Sequence, residues 1–252
     1  MVKIPHYSWS YSSLGLMSCP KMYELVRAKK IVTTRLDSPS ADEGVRVHEL
    51  IEAYFKEDKW VPELDKYKRL LETYKAKGGV AEAGYAFKLV PKEQYSPENA
   101  EDVLIYYPSR ESYLVPCEMD DPECWYRGFL DWSKIDEDKE YAEIVDWKTG
   151  RVKPSKQNQL YAWIVFTAHP KIKKAKSTFH WINKGDQLPQ WFDRKDMVSM
   201  FQPFQEILDQ IDYCYEHDTW IAIPGEVQKS TGRGANCRYC PVSVEHCEHG
   251  IK

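Results

Sequence analysis

The chain lacks any apolar run approaching the roughly 20 residues that a helical membrane span needs, which excludes an integral helical membrane protein. Met1 to Trp9 lacks the basic-then-apolar layout of a signal peptide, so a soluble, cytoplasmic protein is expected. Glycine and proline are sparse, 12 and 15 of 252 residues. That scarcity, with no internal repeat and no low-complexity linker, excludes collagen-like and broadly disordered classes. No G-x-x-x-x-G-K-[ST] phosphate loop occurs, so the chain carries no motor of that kind. A net charge of −4 gives no global basic field, and any nucleic-acid partner must be met by local patches.

Aromatic residues are abundant: nine Trp, 17 Tyr and eight Phe, within a chain that is 42% hydrophobic and long enough to bury a substantial core. The charges are segregated. Glu111 to Asp146 is strongly acidic, while Lys171-Ile172-Lys173-Lys174-Ala175-Lys176 is a basic run. Two solvated surfaces would explain this, but an acidic cluster near a basic strip is also what a metal-dependent enzyme acting on phosphodiesters requires.

The hydrophobic period predicts a capped helix from Ser8 to Lys30, broken or restarted at Pro20. A loop at Asp37 to Pro39, a helix from about Asp42 to Lys56 and a third from about Pro62 to Lys77 follow. From Glu82 the period becomes that of strands: Glu82 to Val90, Val103 to Tyr107, Tyr113 to Pro116, Trp125 to Ile135 and Tyr141 to Trp147. A helix from Pro154 to Ala168, a strand from Lys176 to Asn183 and a long helix between Arg194 and His217, with Pro203 as a kink, complete an α/β order. Residues 1–80 form a helical N-terminal region, 81–220 the core and 221–252 a Cys-rich tail, expected as one integrated domain.

The densest chemistry lies in Gly128-Phe129-Leu130-Asp131 and Asp146-Trp147-Lys148-Thr149-Gly150. Asp146 and Lys148 share one face of a strand, and a hairpin turning at Asp138-Lys139 puts Asp131 opposite Asp146. Two facing carboxylates ask for a cation, and Mg²⁺ or Mn²⁺ suits oxygen ligands. An Asp-x-Lys alone is more often a surface ion pair. Helical spacing puts His48 inward on the stripe Gly44, His48, Ile51, Phe55, where a satisfied core histidine is the commoner case and a metal ligand the sharper one. Gln157, Leu160, Tyr161 and Ile164 form a buried stripe after the lysine, so a glutamine faces the core beside Asp146 and Lys148.

Seven cysteines in a chain expected to be cytoplasmic point to metal or catalysis rather than disulfides. Cys237-x-x-Cys240 with Cys247 supplies three thiolates. A fourth ligand from His246 or His249 would make a zinc site. Cys19 would make four sulfurs suited to zinc or an iron–sulfur cluster, and spacing alone leaves these level.

Ser8-Trp9-Ser10-Tyr11-Ser12-Ser13-Leu14, followed by Ser18-Cys19-Pro20-Lys21-Met22-Tyr23, resembles the opening of RecB-type nucleases of the PD-(D/E)XK superfamily. Gly44-x-x-x-His48, Glu82, Gly128-x-x-Asp131, Asp146-Trp147-Lys148 and Gln157-x-x-x-Tyr161 follow in family order, so the resemblance runs from Ser8 to Cys247. One cysteine before the core and three after it resemble the iron–sulfur branch of CRISPR-associated RecB-like exonucleases, AddB-type subunits and phage exonucleases. The resemblance implies a central mixed sheet flanked by helices. It implies Asp131, Asp146 and Lys148 as the catalytic triad, with Gln157 and Tyr161 as the motif trailing it. It further implies His48, Asp131 and Asp146 on Mg²⁺ or Mn²⁺, supported by Glu82. Cys19, Cys237, Cys240 and Cys247 would hold a 4Fe-4S cluster.

The expected protein is a metal-dependent DNA exonuclease preferring single-stranded or end-bearing DNA. It would sit in the cytoplasm of a bacterium, archaeon or phage-infected host and serve recombination or replication partners. Lys153, Lys156 and the Lys171 to Lys176 run, with Trp147 and Tyr161, are the expected single-strand contacts. The rival is an inactive or zinc-stabilised nucleic-acid-binding adaptor on the same fold. The stretch from Pro91 to Asp121 matches no feature of the family, and Cys117, Cys124 and Cys214 read as structural.

Overall fold

Proline at position 20 decides the shape of the first helical segment. The computed structural model describes residues 6–31, 39–95, 106–107, 110–150, 155–227, 234–237 and 240–250. Within them the first helical segment restarts at Pro20 as expected and is divided further, into α1 (Tyr11–Leu14), a 3₁₀ turn, α2 (Pro20–Tyr23) and a π turn at Glu24–Ala28. Ser10 and Ser13 cap α1 reciprocally. Cys19 is extended, φ −142° and ψ 102°, because the ring of Pro20 disfavours helical backbone in the residue before it.

α3 (Pro39–Glu57) starts earlier than the spacing predicts, with its proline in the first turn, where a missing N–H costs nothing. Residues 37–38 of the expected loop lie outside the described residues. A 3₁₀ turn, Pro62–Tyr67, leads into α4 (Lys68–Lys77), which Gly78 ends in the left-handed conformation. Seven strands follow in one sheet: β1 (Val80–Pro91), β2 (Tyr106–Tyr107), β3 (Ser112–Pro116), β4 (Cys124–Asp136), β5 (Tyr141–Lys148), β6 (Lys174–Trp181) and β7 (Asp186–Asp193). Their order is β2-β3-β1-β4-β5-β6-β7, antiparallel except for the β5–β6 pair, which α5 (Gln157–Ala168) connects. This mixed sheet flanked by helices is the expected fold class. α6 (Met197–His217) runs through Pro203.

Each expected strand has its counterpart, and one strand is additional. The stretch without a family counterpart, Pro91 to Asp121, holds the two strands expected there, β2 and β3, which extend the sheet beyond β1; residues 103–105 of the first lie outside the described residues. β7 was not expected at all. Its sequence, DQLPQWFD, is polar and proline-bearing, composition tolerated only at a sheet edge, and an edge is where it sits. Pro154 of the predicted helix lies outside the described residues, and α5 begins at Gln157.

Backbone packing divides the chain into two units, Met1–Asp37 with Gln202–Lys252, and Ser38–Phe201. In the second, one sheet face packs against α3 and α4 through Val47, Ile51, Leu71, Tyr74, Trp132 and Trp147. α5 is apolar all round and nearly wholly buried, its Trp163 meeting Phe87 of β1 and stacking on Phe201 at 4.2 Å. In the first, Tyr7 donates to Asp212 at 2.7 Å and Tyr23 stacks on Trp220.

Candidate active site and metal centre

The β4–β5 hairpin turns where expected. Asp136 faces Tyr141 and Trp132 faces Val145, so Asp131 and Asp146 occupy the next step of the same register. The ladder proper stops at Trp132, and Asp131 turns its Oδ2 onto the backbone N–H of Trp147 at 2.7 Å.

β1 and β4 are irregular at this level. Ala81 faces Trp132 and Ala83 faces Leu130, but the pair between them, Glu82 and Asp131, is missing from the ladder, and Glu82 has φ 50°. Such left-handed backbone costs a non-glycine residue about 1–3 kcal/mol and collects at functional sites. The strand turns over here. Tyr126 and Trp132 would share a face of an unbroken strand, yet Tyr126 packs with Phe87, which meets Trp163 of α5, while Trp132 lies in the α3–α4 core. The inversion lets Glu82, Asp131 and His48 converge: one ligand atom of each lies within 4.8 Å of the others. His48 Nδ1 stands 3.4 Å from Asp131 Oδ2. Gly44 permits this approach of α3, since a Cβ there would meet Thr149 Oγ1 at 3.0 Å, and His48 follows one turn later.

Asp146 is beside this group and wholly buried. Its Oδ1 accepts from the Tyr161 hydroxyl at 3.2 Å, and its Oδ2 lies 2.5 Å from Lys148 Nζ as an ion pair without hydrogen-bond geometry. Lys148 Nζ donates to Gln157 Oε1 at 2.9 Å, and Gln157 Nε2 donates to the Tyr161 oxygen at 2.6 Å. Asp146, Lys148, Gln157 and Tyr161 thus form a closed ring of contacts. Helix α5 builds half of it by placing Gln157 and Tyr161 one turn apart.

The electrostatics are those of a carboxylate site short of positive charge. Burial, then the charge of Asp131, pushes the Asp146 carboxyl up to about 6 against the pull of Lys148. Burial, Asp131 and Glu52 push Glu82 up to about 7. Burial opposes charge on His48, but the Asp131 hydrogen bond and the charges of Asp131 and Asp146 outweigh it, and its pKa is raised. Burial and the two aspartates keep the Tyr161 hydroxyl protonated well above the usual phenol range, so it remains a donor to Asp146.

The donor set suits a hard divalent ion: the carboxylate oxygens of Glu82 and Asp131, one imidazole nitrogen of His48 and, beside them, the buried carboxylate of Asp146, whose Oδ2 meets only the Lys148 ammonium.

A model of the PD-(D/E)XK nuclease superfamily matches residues 8–245. The chain belongs to the PD-(D/E)XK nuclease superfamily. Among solved structures, one described as "Crystal structure of SSO0001" aligns at 12% identity and a TM-score of 0.37, covering 82% of this chain and 79% of that one. A comparison with curated proteins found no match. Membership implies metal-dependent hydrolysis of phosphodiesters in a nucleic-acid substrate, and His48, Glu82 and Asp131 are a group able to hold a divalent ion.

The cysteines form a second constellation, within the first unit. Cys19, Cys237, Cys240 and Cys247 line one apolar cavity together with Met22, Leu25 and His249. The extended backbone at Cys19 points its sulfur there, and the Ile223 N–H donates to it at 3.3 Å. Burial, then the facing Cys19, Cys237 and Cys247, raises the Cys240 thiol, against a backbone hydrogen bond from Val242. No disulfide joins any of the seven cysteines.

Two expectations about substrate contact need correction. Trp147 and Tyr161 are buried, 1% and 6% exposed, one in the α3–α4 core and one bonded to Asp146, so neither ring can stack on a base. The basic run is not a bare strip: Lys171 pairs with Glu137, Lys173 with Glu140 and Lys176 with Glu143. Lys153 lies outside the described residues.

Gly128 gives a stability test. A Cβ there would lie 2.0 Å from the Tyr126 hydroxyl, and Tyr126 is fully buried and unable to swing away. Gly128→Ala is expected to cost about 1–3 kcal/mol, or roughly 2–4 °C of Tm per kcal/mol in a thermal melt, and to weaken metal binding by displacing Asp131.

Proposed function

We propose that this chain is a Mg²⁺- or Mn²⁺-dependent deoxyribonuclease of the exonuclease kind, with a structural 4Fe-4S cluster. The observation that carries the hydrolytic reading is the convergence of His48, Glu82 and Asp131 beside the Asp146–Lys148 pair. His48, Asp131 and Asp146 would hold the ion, with Glu82 completing the oxygen set. The ion supplies Lewis-acid polarisation of the phosphate and a lowered pKa for water. Lys148, fixed between Asp146 and Gln157, presents its ammonium to the negative charge that develops on the phosphate oxygens. Gln157 and Tyr161 orient that lysine and Asp146 through the closed ring.

The four-cysteine cavity supports the cluster reading on donor chemistry. All four ligands are thiols, the lining is apolar, and backbone N–H groups face two of the sulfurs, a pattern that stabilises thiolates. The cluster is structural in this reading, because the carboxylate site already supplies a complete hydrolytic donor set.

Digestion of end-labelled linear DNA against covalently closed circular DNA tests the exonuclease mode. Shortening from ends with the circle spared is expected; nicking of closed circles at the linear rate would overturn it.

Metal binding should also depend on pH. Asp146 and Glu82, raised to about 6 and about 7, must lose protons to ligate, so divalent affinity is expected to climb between about pH 5 and about pH 8. The metal-free protein moves the other way. A carboxyl whose folded pKa is raised stabilises the fold at low pH, and that contribution is lost as pH rises through 6 to 7. Calorimetric titration with Mg²⁺ and melts in EDTA across that window measure both; a pH-independent affinity would contradict the ligand assignment.

A further inference from the structure

With Trp147 and Tyr161 buried, the aromatic groups open to a substrate lie elsewhere, and the most exposed tryptophan is Trp191 on β7, at 65%. Cross-strand register places Lys134, Glu143, Lys176 and Trp191 in one row over four strands. The next row on the same face is Asp136, Tyr141, Lys174 and Asp193. The Tyr141 and Trp191 rings stand 6.1 Å apart at 32°, and Lys176 Nζ lies 5.8 Å from the Trp191 ring centre. Beside them a cavity of about 280 Å³ is lined by Lys77, Lys134, Lys139, Tyr141, Asp136 and Glu143. Glu143 is shared by Lys77 at 2.8 Å and Lys176 at 3.7 Å, and Asp136 takes Lys139 at 2.7 Å. Lys77, Lys134, Lys139, Lys174 and Lys176 thus stand with three carboxylates, Asp136, Glu143 and Asp193, leaving a local positive excess on a chain that is negative overall.

We infer that this face is a second nucleic-acid contact, a platform on which single-stranded DNA or RNA stacks bases against Trp191 and Tyr141 while Lys134 and Lys139 meet its phosphates. The inference rests on the reading of the chain as a nuclease. An exposed tryptophan beside a half-buried tyrosine, flanked by lysines, is the composition of sequence-tolerant single-strand binding. Pro189 has no N–H to offer an added strand, so the partner is met through side chains. The platform is separate from the hydrolytic site. Tyr141 lies five residues from Asp146 along β5, about 17 Å, and on the opposite face. It therefore serves to retain a strand that extends beyond the site.

The test uses the full-length protein in EDTA, with fluorescent oligothymidylates of about four and about 16 nucleotides, spanning the usual range of single-strand site sizes. The wild-type chain should gain affinity on lengthening. Trp191→Ala should remove roughly 5- to 100-fold of that gain, the span expected for one lost base stack, while Trp191→Phe restores most of it. Lys139→Gln should lower the slope of log affinity against log salt by about one. An unaltered melting temperature for Trp191→Ala, whose side chain is largely in solvent, shows that the loss is one of contact. If Trp191→Ala binds the long oligonucleotide like the wild type, the platform is wrong and the nuclease reading stands. Displacement by polyglutamate as effective as by oligothymidylate marks a general polyanion surface and likewise overturns it. A wild-type chain that binds neither length overturns the platform, and hydrolysis of the same oligonucleotides with Mg²⁺ restored decides the nuclease reading separately.

Discussion

Asp146→Asn is expected to lower phosphodiester hydrolysis by about 10³-fold or more, equivalent to about 4 kcal/mol of lost transition-state stabilisation, while leaving the fold in place. The substitution keeps an oxygen for the Tyr161 hydroxyl and removes the charge that both Lys148 and a divalent ion would use. Stability should not suffer. Burial raises the pKa of this carboxyl to about 6, so carrying its charge at neutral pH costs the folded protein stability that the neutral amide does not lose. Initial rates with Mg²⁺ and with Mn²⁺, beside melts in EDTA, separate the two effects. Wild-type rates in this variant, or in wild-type protein stripped of metal, would end the metal-dependent reading.

Cys19→Ala should lose the iron and sulfide of the purified protein and its visible absorption. Cys19 and Cys237 are separated by 218 positions (237 − 19), so a shared cluster closes a very long loop. Loop-closure entropy grows only logarithmically, and a cross-link over such a loop contributes about 5 kcal/mol at most. At roughly 2–4 °C per kcal/mol, losing it should lower Tm by about 10–20 °C. Cys237→Ala, Cys240→Ala and Cys247→Ala should behave alike, and Cys117→Ala, Cys124→Ala and Cys214→Ala should keep their iron. Undiminished iron in Cys19→Ala would remove it from the ligand set and pass the fourth position to His249, which lines the same cavity.

Much of the site was legible because its motifs sit on regular elements. The period of two along β5 puts Asp146 beside Lys148, and the turn at Asp138-Lys139 sets Asp131 in register with Asp146. The helical period puts Gln157 and Tyr161 on one side of α5. Glu82 entered only as a supporting residue, because no sequence pattern announces a non-glycine residue at φ 50°. The missing partner for Asp131 in the β1–β4 ladder has the same cause and shows only in the folded chain. The stacking surface was misplaced. Trp147 and Tyr161 stand beside the motif residues, but proximity in sequence does not say which side of the sheet carries a helix.

The sequence by itself determined the local frame: the helices and strands with strong hydrophobic period, the β4–β5 hairpin and the ordered motifs that fix the family. Each depends on interactions within a few residues, which spacing encodes directly. Only the tertiary structure decided that β4 turns over between Tyr126 and Trp132, that β7 closes the sheet, and that the Lys171 to Lys176 run is paired with the acids of the neighbouring turn and strand. Those outcomes follow from which residues distant in the chain become neighbours. Burial, ion pairing and the strain held at Glu82 are properties of that neighbourhood rather than of any one segment.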